Sequence, residues 1–126
     1  GRHGFGSSNG SAFNKWVGNN VKDNAHQGFW IRNTKQSQII GNIINMPVDS
    51  LYGAQIKGNS LEDPNQISDQ RNIFTGNVID GPCQDAIYLQ NNANNNIATY
   101  NTLKGYINNA IREVNCTGNI LTPNII

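Results

Sequence analysis

What the chain lacks narrows its identity first. Charged residues make up only 13% of it and the formal net charge is +1. Neither counterion release on nucleic acid nor a polybasic grip on a membrane has the charge it requires, so neither partner is expected. No apolar run approaches the roughly 20 residues that span a bilayer. Leu and Ala, the usual helix formers, are scarce, which argues against long helices. Two cysteines, Cys83 and Cys116, cannot build the disulfide framework of a small secreted scaffold, and with two histidines, His3 and His26, no metal-ligand spacing emerges. No cofactor is expected either, because Gly4-Phe5-Gly6 lacks the strand-to-helix context of a dinucleotide loop. The chain opens at Gly1 with neither an initiator Met nor a signal peptide, and so reads as a processed or excised segment.

What is present is asparagine, nearly a fifth of the 126 residues, set among regularly recurring Ile and Val. Asn tolerates left-handed backbone angles at turns, and it stacks in ladders when equivalent positions superimpose. One phrase returns five times: Val17-Gly18-Asn19-Asn20-Val21, Ile40-Gly41-Asn42-Ile43-Ile44, Thr75-Gly76-Asn77-Val78-Ile79, Tyr100-Asn101-Thr102-Leu103 and Thr117-Gly118-Asn119-Ile120-Leu121. Aligned on the Asn, its steps are 23, 35, 24 and 18 residues. The long step contains a polar insertion at about 59–71, with Asp63-Pro64-Asn65 turn chemistry.

A second phrase follows about ten residues after the first: Gly28-Phe29-Trp30-Ile31-Arg32, Gly53-Ala54-Gln55-Ile56-Lys57, Ala86-Ile87-Tyr88-Leu89-Gln90 and Ala110-Ile111-Arg112-Glu113-Val114. Each alternates apolar and polar residues as a half-buried strand does. A repeat of strand, turn, strand, turn at this length is too short for helical repeats. One such unit cannot bury its apolar side alone, so successive units stack and enclose a shared column of Ile, Val and Leu. At about 4.8 Å per layer, five layers make a stub about 24 Å tall, and its open ends call for covering by other coils, caps or sister chains.

The Gly-Asn-x-Ile phrases joined to Gly-x-x-Ile strands resemble the parallel β-helix repeats of phage tailspikes, polysaccharide lyases and mannuronan epimerases, over about residues 14 to 122. The resemblance implies an all-β fold, a right-handed single-stranded parallel β-helix of about five coils spanning residues 1–126 as one domain. It is most like tailspikes and tail appendages, which implies binding of host surface polysaccharide, with depolymerisation as a further expected activity, in a homotrimer on a virion tail or otherwise extracellular. Arg2-His3-Gly4-Phe5 is similar to a phrase in alginate epimerase modules that adjoins the substrate groove. The acid-Pro-His catalytic phrase of those enzymes is not found here. A uronate lyase or epimerase is therefore the second expectation, and a passive adhesive spacer the third.

The alternation turns Phe29, Ala54, Ile87 and Ile111 inward and Trp30, Gln55, Tyr88 and Arg112 outward, with Arg32, Lys57 and Gln90 as the flanking outward column. Trp30, Arg32, Gln55, Lys57, Tyr88 and Arg112 are the candidate substrate-binding residues. Aromatic rings offer flat apolar area to a pyranose, and Arg, Lys and Gln donate hydrogen bonds to hydroxyls and carboxylates. Hydrolysis of a glycosidic bond needs a pair of carboxyl groups. Asp49, Asp80 and Asp85 are the candidates, expected to meet across neighbouring layers, although turn-capping is the commoner task of Asp at such places. Glu113 falls on the inward register, which predicts a bulge or a buried, paired carboxyl.

Overall fold

The computed structural model describes residues 3–8 and 10–126; Arg2, the first residue of the epimerase-like phrase, lies outside them. Among the described residues there is no helix, and the strands form three parallel sheets. The largest contains β1 (His3–Ser7), β4 (Gln27–Arg32), β7 (Tyr52–Lys57), β10 (Asp85–Gln90) and β13 (Asn109–Val114). The second contains β2 (Lys15–Val17), β5 (Gln38–Ile40), β8 (Ile73–Thr75) and β11 (Ile97–Thr99). The third contains β3 (Asn20–Lys22), β6 (Ile43–Asn45), β9 (Val78–Asp80) and β12 (Thr102–Lys104). The chain visits each sheet in turn, and every third strand lies beside its predecessor in register. Isolated bridges from Ile97 to Ile120 and from Thr102 to Ile125 carry the last layer across the two smaller sheets.

Each circuit therefore holds three strands, where the repeat predicts two. The Gly-Asn phrase is a corner between two short strands: Gly41 and Asn42 separate β5 from β6. The residue ahead of four of the corner Asn residues is left-handed, with φ of 68° at Gly18, 66° at Gly41, 65° at Gly76 and 57° at Tyr100. That turn tucks the next side chain under the backbone of the corner, where its amide meets the neighbouring layer. Asn19, Asn42, Asn77, Asn101 and Asn124 form one ladder. Each Oδ1 accepts from the backbone N–H and the side-chain Nδ2 of the preceding rung at 2.8–3.1 Å.

A second corner repeats the device. Phe13, Gln36, Arg71, Asn95 and Gly118 have φ of 51–72°, and the ladder after them runs Asn14, Ser37, Asn72, Asn96, Asn119. Asn119 thus belongs beside Asn96, and the residue that follows Asn101 is Asn124. The true steps of the first ladder are 23, 35, 24 and 23 residues, so the short last step of the sequence alignment is a misassignment between two alike corners.

Inside, Phe29, Ala54, Ile87 and Ile111 share one column, as the alternation predicts. Phe29 is fully buried against Phe5 (ring centroids 5.4 Å), Trp16 (6.0 Å) and Phe74 (6.3 Å). Large rings sit beside Ala54 and Ala98 in the next layers, an alternation of sizes that lets layers interlock. At the start of the large sheet's strands the chain presses so close that a side chain has no room. A Cβ on Gly53 would lie 2.4 Å from Ile79 Cγ2 and 2.7 Å from the carbonyl oxygen of Ala86.

Glu113 does occupy the inward column, opposite Leu89, and β13 pairs with β10 without a bulge. The carboxylate is exposed, and it accepts from Asn119 Nδ2 at 2.7 Å. Both thiols are free; Cys83 is buried and Cys116 half-buried.

Candidate functional site

The outer face of the large sheet carries the polar and aromatic residues. Its register sets Gln27, Tyr52, Asp85 and Asn109 in one column and Trp30, Gln55, Tyr88 and Arg112 in the next. Arg32, Lys57, Gln90 and Val114 form the third. All six candidate binding residues therefore lie on one face, in two neighbouring columns.

They are not equally open. Gln55 and Tyr88 point away from the core, yet they are only 6% and 8% exposed, so the expectation of an open ladder at these two positions is corrected. Neighbouring layers cover them. Gln27 Nε2 donates to Gln55 Oε1 at 2.6 Å, the Tyr52 ring lies 4.9 Å from that of Tyr88, and the Arg112 guanidinium sits 4.7 Å above Tyr88. Trp30, Arg32 and Lys57 are partly open and Arg112 is exposed.

The three aspartates part company. Asp49 is exposed in the turn before β7, at φ 67°. Asp80 shares its column with Asn45 and Lys104 and pairs with Lys104 Nζ at 3.6 Å. Asp85 is buried beside Tyr52 and Asn109; it accepts from Asn109 Nδ2 at 2.9 Å and lies 3.9 Å from Arg112 Nη1. Asp80 in β9 and Asp85 in β10 belong to different sheets, and Asp49 lies in the turn between β6 and β7.

Tyr52 is the member of this face that the sequence reading passed over. Extending the strand alignment by one residue upstream would have found it, since Gln27, Tyr52, Asp85 and Asn109 precede the aligned phrases at one offset. Burial, then Tyr88 and Asp85, pushes the Tyr52 phenol up, against an opposing pull from Arg112. It stays protonated. Lys57 is held below its ordinary value by burial first and by Arg32 second. Two cations thus stand in adjacent rungs, and Arg32 Nε donates to the neutral Asn59 Oδ1 at 3.0 Å.

The insertion walls the cationic column. It is stapled to the stack: Asn33 Nδ2 donates to Asn65 O and Asn33 Oδ1 accepts from Ile67 N–H, both at 2.8 Å. The backbone N–H of Asn59 donates to Gln66 Oε1, and its Nδ2 donates to Asp63 Oδ2 at 3.0 Å. Along this wall run two hollows, of ≈ 280 Å³ and ≈ 710 Å³.

The other two outer faces differ in kind. Val17 (59% exposed), Ile43 (48%), Ile120 (54%) and Ile125 (69%) are open there, with Ile40, Ile73, Ile97 and Val78 partly open between them. No protein-family model, curated protein or solved structure matches the chain.

Proposed function

We propose that the chain is a segment of a right-handed parallel β-helix, of the phage tailspike or tail-appendage kind, whose large sheet binds host surface polysaccharide. Three in-register parallel sheets visited in rotation support the helix, and crossovers between parallel strands are right-handed in about 98% of cases. The observation that carries the binding reading is the face where Trp30, Arg32, Lys57 and Arg112 stand together beside a stapled wall. A pyranose offers a flat CH surface to a ring and hydroxyls to cations and amides. Apolar outer faces on the remaining sheets support side-by-side association with sister chains, in a homotrimer. An extracellular or virion-tail setting follows from that use. Binding is the role that Trp30, Arg32, Lys57 and Arg112 support.

Glycan-array binding of the parent and of a Lys57→Gln, Arg112→Gln double variant tests the reading. The expected result is loss of at least tenfold in apparent affinity with an unchanged β-rich circular dichroism spectrum. Equal binding by a folded double variant would sink it. A second reading, an enzyme acting on uronate polymers, draws on Tyr52 beside the buried Asp85; new unsaturated or reducing ends in incubated polymer would favour it.

A further inference from the structure

The two hollows at the root of the insertion share Asn59, Ser60 and Asn91 as a common lip. The smaller one holds Arg32 and Lys57, and among the described residues neither cation joins an ion pair. Asp63 also lines it, but the two oxygens of Asp63 accept from Asn59 Nδ2 at 3.0 Å and from Asn65 N–H at 2.8 Å, which caps the turn of the insertion. Two positive charges therefore face one carboxylate already engaged. At ≈ 280 Å³ this hollow is near the lower end of ligand-sized sites, which run about 300–1,000 Å³, and has room for one sugar ring.

The larger hollow, ≈ 710 Å³, has the opposite character. Asn91, Asn92 and Asn115 offer amides, Ser60 and Thr117 offer hydroxyls, and Glu62 is its one formal charge. Leu61, 71% exposed, adds an apolar patch of the size of a methyl contact. The lip is held in place: Asn92 Nδ2 donates to Asn59 O at 2.9 Å, and Gln66 Nε2 donates to Asn92 O at 3.3 Å. A polymer running along the wall meets a cationic subsite and then a neutral-to-acidic one.

Resting on the polysaccharide reading above, we infer that the site takes a heteropolysaccharide in which a uronic acid alternates with an N-acetylated, uncharged sugar. The uronate carboxylate sits against Arg32 and Lys57, where charge-assisted hydrogen bonds are strongest. The next ring enters the larger hollow, where its acetamido group and hydroxyls meet Asn side chains and its methyl meets Leu61. Glu62 repels a second carboxylate at that position, so a homopolymer of uronic acid meets one favourable and one unfavourable subsite. Such a repulsive element is how a site separates two otherwise similar polymers.

Isothermal titration calorimetry with three length-matched oligosaccharides tests this: an alternating uronate–N-acetylhexosamine oligomer from hyaluronan, an oligogalacturonate, and an uncharged dextran oligomer. The expected order is alternating oligomer tightest, by at least tenfold over oligogalacturonate, with dextran weakest. Glu62→Gln narrows the first gap at least threefold by raising affinity for oligogalacturonate, and Lys57→Gln weakens both acidic ligands. Oligogalacturonate binding as tightly as the alternating oligomer, or a gap unmoved by Glu62→Gln, overturns the inference while leaving polysaccharide binding intact. Silence from all three overturns both.

Discussion

Asn42 and Asn77 are 35 residues apart in the chain and doubly joined in the fold: the Oδ1 of Asn77 accepts from the backbone N–H and from the Nδ2 of Asn42, each at 2.9 Å. Asn77 also donates to the carbonyl of Ile39 at 2.9 Å and to Asn101 Oδ1 at 3.1 Å, all within a fully buried corner. Asn77→Ala strips partners from several buried groups at once, and each orphaned group costs about 1–3 kcal/mol. The expected loss is about 3–5 kcal/mol in urea unfolding, against about 1 kcal/mol for Asn119→Ala at the half-exposed end of the other ladder. Equal losses at the two sites would remove the ladder from the account of stability.

Gly53 and Gly18 are glycines for different reasons. A Cβ at position 53 collides with Ile79 and with the backbone of Ala86, whereas at Gly18 nothing lies within 4 Å and only the φ of +68° opposes a side chain. Gly53→Ala is expected to cost about 2–3 kcal/mol through overpacking, and Gly18→Ala about 1 kcal/mol through backbone strain. Thermal unfolding of the two variants orders them; a milder effect at position 53 would contradict the packing described.

Burial pushes the Cys83 thiol up, only partly offset by nearby backbone hydrogen bonds. An acid with a raised folded pKa stabilises the fold fully below its unfolded value, about 8.5 for a thiol, and that contribution is lost as pH rises towards the folded pKa. Tyr52 and Cys116 act with the same sign, and Lys57, whose value is lowered, acts with the opposite one. The difference between the parent and Cys83→Ala isolates the thiol. The parent's stability should fall more steeply than the variant's above pH of about 8.5, as followed by urea midpoints. Parallel curves would refute it.

The apolar outer faces bear on assembly. Light scattering on the 13.8 kDa chain is expected to give a mass three times that of the monomer. Ile43→Lys with Ile120→Lys, both on exposed sites, should return it to a monomer without changing its circular dichroism. A parent that is monomeric at high concentration would dismiss the trimer.

The large sheet was legible because six-residue strands show alternation. Phe29, Ala54, Ile87 and Ile111 fell inward and Trp30 outward, and even Glu113 kept register opposite Leu89. The smaller sheets were hidden, since strands such as Phe74 with one neighbour on each side present a single inward residue and no visible period. Asn119 was set on the wrong ladder because both corners use a left-handed residue followed by Asn, and chemistry alone does not separate them. Cover over Gln55 and Tyr88 comes from Gln27, Tyr52 and Arg112 one layer away, a relation that depends on register and not on local pattern.

In both ladders the backbone N–H of each rung donates to the side-chain oxygen of the next, which gives the stack a direction. Duplication or deletion of one whole circuit, some two dozen residues, hands each amide an equivalent neighbour and leaves the polarity intact. Removing half a circuit strands donors against donors. The connection between β7 and β8, by contrast, absorbs extra residues without breaking either ladder. Lineages of such chains should therefore vary in length by quanta along the axis and continuously at the rim, where recognition is written.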